Sequence, residues 1–241
     1  MEGEHSAHGG RVYRHTQRRP EEFVSGDEGL IDAVGEHVEE HFGEVETVYH
    51  EIISTHAHVD LFVAKPGPKR PATTVVTCGM AQFPMPGFGK GELSAELCLI
   101  LPPDWPIMDD PAFDERLHYW PFRVLKELAR LPHEFGTTLW YGHTVPNGDP
   151  AQPYGPNTKL CCAMLAEQIM ADEAAHRIAY GDREIALWGV WLLHKDEMQY
   201  KLDHGLEAVQ AYLDEAKVSE IVKPDRPSAL PQKRRRGLFR R

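Results

Sequence analysis

The chain has 241 residues, 41% of them hydrophobic and 26% charged, and a mean hydropathy of −0.45. This ordinary globular usage excludes a fibrous or largely disordered chain, and no apolar run approaches the roughly 20 residues that cross a bilayer. The formal net charge of −11 is uneven: Lys223–Arg241 holds eight basic residues and one acid, the first 26 residues hold four of each, and residues 27–222 are left with −18. Such a body repels nucleic acid and steers toward basic partners.

Residues 1–26 carry no sustained periodicity, and the polar stretch Met1–Pro20 lacks the apolar segment of a secretory signal. The expectation is a flexible N-terminal segment ahead of one domain over residues 27–222, in a cytoplasmic protein. Asp27 offers an N-cap, and Leu30, Val34, Val38 and Phe42 recur every four residues before Gly43, which predicts an amphipathic helix. From Val45 to Ala64 the period changes to alternation, through Thr47 and Tyr49 and then Ala57, Val59, Leu61 and Val63. Thr73–Gly79 and Glu96–Leu101 read as further strands, with the Gly87–Gly91 run as a loop between strands.

Pro121 suits the first turn of a helix carrying Phe122, Leu125, Leu128 and Ala129, with Pro132 as its stop. Phe135–Gly142 reads as a strand, Leu160–Ala166 is ambiguous between strand and helix, and Ile185–Leu193 is a strand. A last helix is expected from about Asp203, with Leu206, Val209, Leu213 and Ala216 at helical spacing. Helices and consecutive strands without βαβ alternation predict an α+β fold with a mostly antiparallel sheet and helices packed on it. Pro224, Pro227 and Pro231 precede the basic run Lys233–Arg241, so residues 223–241 read as a basic, flexible tail capable of weak contacts with anionic surfaces.

The sharpest chemical signal is His56-Ala57-His58-Val59-Asp60. Two histidines and an aspartate at this spacing can hold a metal that activates water, so a metal-dependent hydrolase using His56, His58 and Asp60 is one functional alternative. Leu61 stands where the related HxHxDH loop needs another histidine, and Leu61-Phe62-Val63 continues as a strand. A polar strand face shared by residues 56, 58 and 60 is the plainer explanation. No phosphate loop, nucleophile elbow or helical histidine pair occurs, and no cofactor is expected. Cys78, Cys98, Cys161 and Cys162 form no CxxC pair and read as buried thiols.

The order of several short segments carries more. Val59–Val63, Val76–Met80 with Pro84-Met85, and Ala95–Pro102 with Asp104-Trp105 are followed by Trp120-Pro121 opening a helix. Gly142-His143-Thr144 with Asn147, the strand Leu187–Leu193, Glu197 and Gly205-Leu206 complete the set. In this order, across Glu28–Ala216, the chain resembles the suppressor of fused domain family in its bacterial form. The resemblance implies an α+β sandwich without an established catalytic centre and a non-enzymatic, protein-binding role. Animal members restrain a transcription factor, and bacterial members have been proposed as immunity proteins that neutralise a toxin. The positions matching family motifs are Asp60, Gly79, Met80, Glu96, Trp120, His143 and Glu197, which bind a ligand or hold the fold. Asp60 and Glu96, set in apolar strands, need donors such as His143 if they are buried.

Overall fold

The computed structural model describes residues 4–68, 70–89 and 91–231. In chain order it contains β1 (Glu4–His5), β2 (Arg11–Val12), α1 (Glu28–His41), β3 (Val45–Tyr49), β4 (Asp60–Ala64) and β5 (Thr73–Cys78). There follow β6 (Met85–Pro86), β7 (Glu92–Leu93), β8 (Ala95–Leu101), α2 (Glu115–His118), α3 (Trp120–Phe135) and β9 (Thr144–Pro146). The chain continues through β10 (Cys162–Ala166), β11 (Arg177–Tyr180), β12 (Arg183–Leu193), α4 (Lys195–His204) and α5 (Leu206–Glu215).

The main sheet runs β3-β4-β5-β8-β12-β10-β9, and β11 folds back onto the first half of β12. Every pairing is antiparallel except β8 with β12. This is the expected α+β architecture. Both faces of the central strands are covered, so all five residues of β4 and all seven of β8 are buried. Leu61, Val63, Val75, Leu97 and Leu99 face α3, whose Phe122, Leu125 and Ala129 complete that core. Phe62, Val76, Cys98, Ile100 and Leu187 face α1 through Leu30, Val34 and Val38. A third cluster joins Met164, Trp191 and Leu193 to Val209 and Leu213 of α5. All four cysteines are buried free thiols.

Local chemistry explains most boundaries. The Asp27 side chain accepts from the Leu30 N–H and caps α1, and Gly43, at φ 122°, ends it. Pro132 does not stop α3. The helix runs one turn past it to Phe135, where Gly136 adopts the left-handed conformation and its N–H bonds the Pro132 carbonyl. Only one intrahelical donor is lost at Pro132, close enough to the end to be tolerated.

Three further expectations need correction. Phe135–Gly142 is not a strand: Leu139 anchors an irregular link in the core, and the strand comes later, as β9. The last helical region begins at Lys195 rather than near Asp203, because α4 precedes α5 and Gly205, at φ 94°, separates them. Residues 56–58 precede β4, and His56 has φ 66°, so 56, 58 and 60 do not share a strand face.

Both ends of the described chain are tied to the domain. β1 and β2 form a hairpin, the His8 N–H donates to the Leu202 carbonyl, and residues 22–24 bond residues 54–56. After α5, Ile221 pairs with Ile100 beside β8, and the chain crosses the sheet end as far as Leu230.

Candidate functional site

The seven family-motif positions do not converge. Asp60, Gly79, Met80 and Glu96 lie together where β4 and β8 start and β5 ends. Trp120 lies in the core, His143 faces the N-terminal segment, and Glu197 sits at the opposite end of the sheet.

Asp60 is fully buried and acts as a hub. Its Oδ2 lies 2.8 Å from His50 Nδ1, and its Oδ1 accepts the Glu51 N–H at 2.9 Å and lies 3.0 Å from His58 Nε2. His58 Nδ1 meets the Ser54 hydroxyl at 2.9 Å, and Glu51 Oε2 lies 2.8 Å from Ser54 and accepts the Val59 N–H. Glu51 Oε1 pairs with Lys126 and Arg130. Burial pushes the Glu51 carboxyl upward, but Arg130, the Val59 N–H and Ser54 together hold it below the ordinary value.

The geometry does not assemble the His56, His58 and Asp60 set. His56 is not brought to Asp60; the second histidine there is His50. Among the described residues, no group of three or more His, Cys, Asp or Glu side chains is arranged to hold a metal ion.

Glu96 is also fully buried, and its donors come from the Thr77–Ala81 segment rather than from His143. The Thr77 hydroxyl donates to Oε2 at 2.6 Å, and the Gly79 and Ala81 N–H groups donate to Oε1 at 2.8 and 2.9 Å. Burial raises its pKa to about 7, against the pull of those donors. Gly79 has φ 128°, and a Cβ there would lie 1.7 Å from the His58 carbonyl oxygen, so only glycine fits. Met80 is buried, and its carbonyl lies 2.9 Å from His133 Nε2.

Trp120 packs edge-on to Trp105 and face to face with Tyr154. Glu197, fully buried, accepts from the His194 and Ala229 N–H groups and from both terminal nitrogens of Arg226. Those donors hold its carboxyl low against the upward push of burial. The stretch 223–230 is therefore bound rather than free, through Arg226, the Pro224 carbonyl accepting from Thr158, and Ser228 donating to Asp196. Lys233–Arg241 lies outside the described residues.

His143 is half-buried beside Tyr13 and Phe88, with ring centroids 6.4 and 5.8 Å away. Burial, with Lys201 nearby, lowers its pKa. Sequence reasoning missed the partners that make these motifs intelligible: His50 and Glu51 for Asp60, with Ser54 supporting Glu51 and His58, and Arg226 for Glu197. Only the Ser54 and Glu51 neighbourhood in sequence pointed to the first set, and nothing pointed to Arg226.

The fold is that of an α+β protein in which the buried carboxyls of Asp60, Glu96 and Glu197 all find internal partners. The family model described as suppressor of fused protein (SUFU) matches residues 55–227, and the chain belongs to that family. The fold is similar to that of a suppressor of fused homologue from Neisseria gonorrhoeae, with TM-score 0.60 and 14% identity over 85% of this chain and 97% of that one. A chain of the Sufu–Fu complex matches with TM-score 0.58 and 13% identity, over 85% of this chain and 92% of its own. Drosophila Suppressor of Fused matches with TM-score 0.55 and 13% identity, over 86% of this chain and 52% of its own length. No curated protein matches the sequence. No helix among the described residues is long and apolar enough to cross a membrane.

Proposed function

We propose that this chain is a non-enzymatic protein-binding member of its family, working in the cytoplasm, whose partner is a basic protein; a toxin domain that it neutralises is the specific form of that reading. The supporting observation is the outer face of α1. Glu28, Asp32, Glu36 and Glu40 follow one another at i,i+4 and are all exposed, with Glu39, Glu44 and Glu46 beside or just after them. Residues 20–64 contain twelve acids and no lysine or arginine. Like charges at i,i+4 cost a helix about 0.2–0.5 kcal/mol per pair, a cost that a cationic partner would offset. A relative of the same fold is seen in the Sufu–Fu complex, which also favours a protein partner.

The test is co-purification with candidate basic toxin domains, beginning with any encoded beside the gene. Association is expected to weaken steeply between about 0.1 and 0.5 M salt, as screening shortens. Glu36→Lys with Glu40→Lys is expected to weaken it about tenfold, or about 1.4 kcal/mol. Affinity indifferent to both changes would remove the reading.

A further inference from the structure

The N-terminal segment builds a surface of the opposite sign. Residues 5–20 contain Arg11, Arg14, Arg18 and Arg19 and no acid. Arg14 is engaged by Glu4 and Asp149, and Arg18 by Glu134, whereas Arg11 and Arg19 make no ion pair with a described residue. Between β2, the β6–β7 hairpin and the turn after α3 lies an open cleft of about 400 Å³.

Its walls are aromatic. Tyr13 is 47% exposed and Phe88 64% exposed, and His143 lies behind both rings. The Arg11 guanidinium sits 5.5 Å over the Tyr13 ring, and His15 stacks parallel to that ring within 4°. The floor is Gly136–Thr138, tied to the hairpin by the Thr138 hydroxyl donating to the Pro86 carbonyl. Arg19 lies across Gly136, where a Cβ would come 2.6 Å from its guanidinium. Two aromatic rings and the Arg11 guanidinium, free of any ion pair with a described residue, thus line a space large enough for an aromatic side chain, with Arg19 packed beside its floor at Gly136.

We infer that this cleft takes a segment of a protein partner in which an aromatic side chain is flanked by carboxylates. The ring would enter between Tyr13 and Phe88, and the acids would meet Arg11 and Arg19. Tyrosine and arginine are the residue types that most often dominate binding energy, and aromatic pairs add to the burial of apolar area. The inference rests on the protein-binding reading but adds a site of opposite charge to the α1 face.

The probe is the capped peptide Asp-Glu-Phe-Glu-Asp, titrated into the full chain by calorimetry and amide chemical-shift mapping. Saturable binding in the micromolar to low-millimolar range is expected, with shifts centred on residues 86–89 and 136–138. Arg11→Glu and Phe88→Ala, both at exposed positions, should each weaken it about tenfold, whereas Ile52→Ser should not. Replacing the peptide's phenylalanine by alanine should abolish the response.

Absence of binding, or equal binding by the variants, overturns the inference. Equal binding of a lysine-substituted peptide does so as well. Phe23, 81% exposed after Glu21-Glu22, offers the same chemistry on a second copy. Self-association in sedimentation that is lost in Arg11→Glu would therefore also overturn it, in favour of a homo-oligomer. The α1 variants leave this peptide response unchanged, so the two readings fail separately.

Discussion

Glu96 shows how a carboxyl can be buried between strands. Three donors meet it, yet burial still raises its pKa to about 7, so the folded state holds a proton that the unfolded chain releases near pH 4.5. The associated stability is full below about 4.5, falls as pH rises toward 7, and amounts to about 3 kcal/mol. A protonated Oε2 can donate to Thr77, whose own hydroxyl then turns to the Leu97 carbonyl. An amide can do the same. Glu96→Gln is therefore expected to keep its fold and lose that pH dependence, measured by urea unfolding between pH 5 and pH 8. Gly79→Ala has no such escape, because the contact is backbone on backbone, and it should cost about 4 kcal/mol or more in the same assay. The sequence marked both positions, but a glycine after a strand cannot say which carbonyl it must clear.

At the scale of elements, the segment after α5 behaves as a strap held by two buried ion pairs. Arg70 lies 3.6 Å from Glu220, and Arg226 grips Glu197 at 2.6 Å. Removing one member of a buried pair leaves the other charge uncompensated. Arg226→Met should therefore destabilise by about 3 kcal/mol and speed hydrogen exchange at the Val222 and Ala229 amides. Since the Glu197 carboxyl is held below its ordinary value, its contribution is present above the usual carboxylate range and disappears as pH falls through the lowered value. α4 went unread in the sequence because its one buried residue is Glu197, so it has no apolar stripe; its start is set by Glu197 reaching back to the His194 N–H. α1, with a full stripe and a side-chain cap, was legible from end to end.

Over the whole molecule, charge is sorted by face rather than averaged. The acidic stripe on α1 strains its own helix. Glu36→Lys, which turns two repulsive i,i+4 neighbours into attractive ones, is expected to raise stability by about 1 kcal/mol while weakening a basic partner. Thermal melts with and without salt measure the first effect: the wild type should gain more from added salt than the variant does. A gain in stability without a loss of binding would place the partner elsewhere. The cationic N-terminal segment lies against the C-terminal end of α3, so the molecule presents two surfaces of opposite sign.

The sequence by itself determined the α+β class, the family, the caps of α1, the buried thiols and the acidity of the body. These depend on local period, composition and the order of short segments. Tertiary structure alone decided that Asp60 meets His50 and His58 rather than a metal triad, that Arg226 belongs to Glu197, and that Tyr13 and Phe88 face one cleft. Apart from His58, two residues from Asp60, such pairings join residues from 10 to 75 positions apart, brought together by sheet register and by chain crossings over the sheet ends, and neither is encoded in any local pattern.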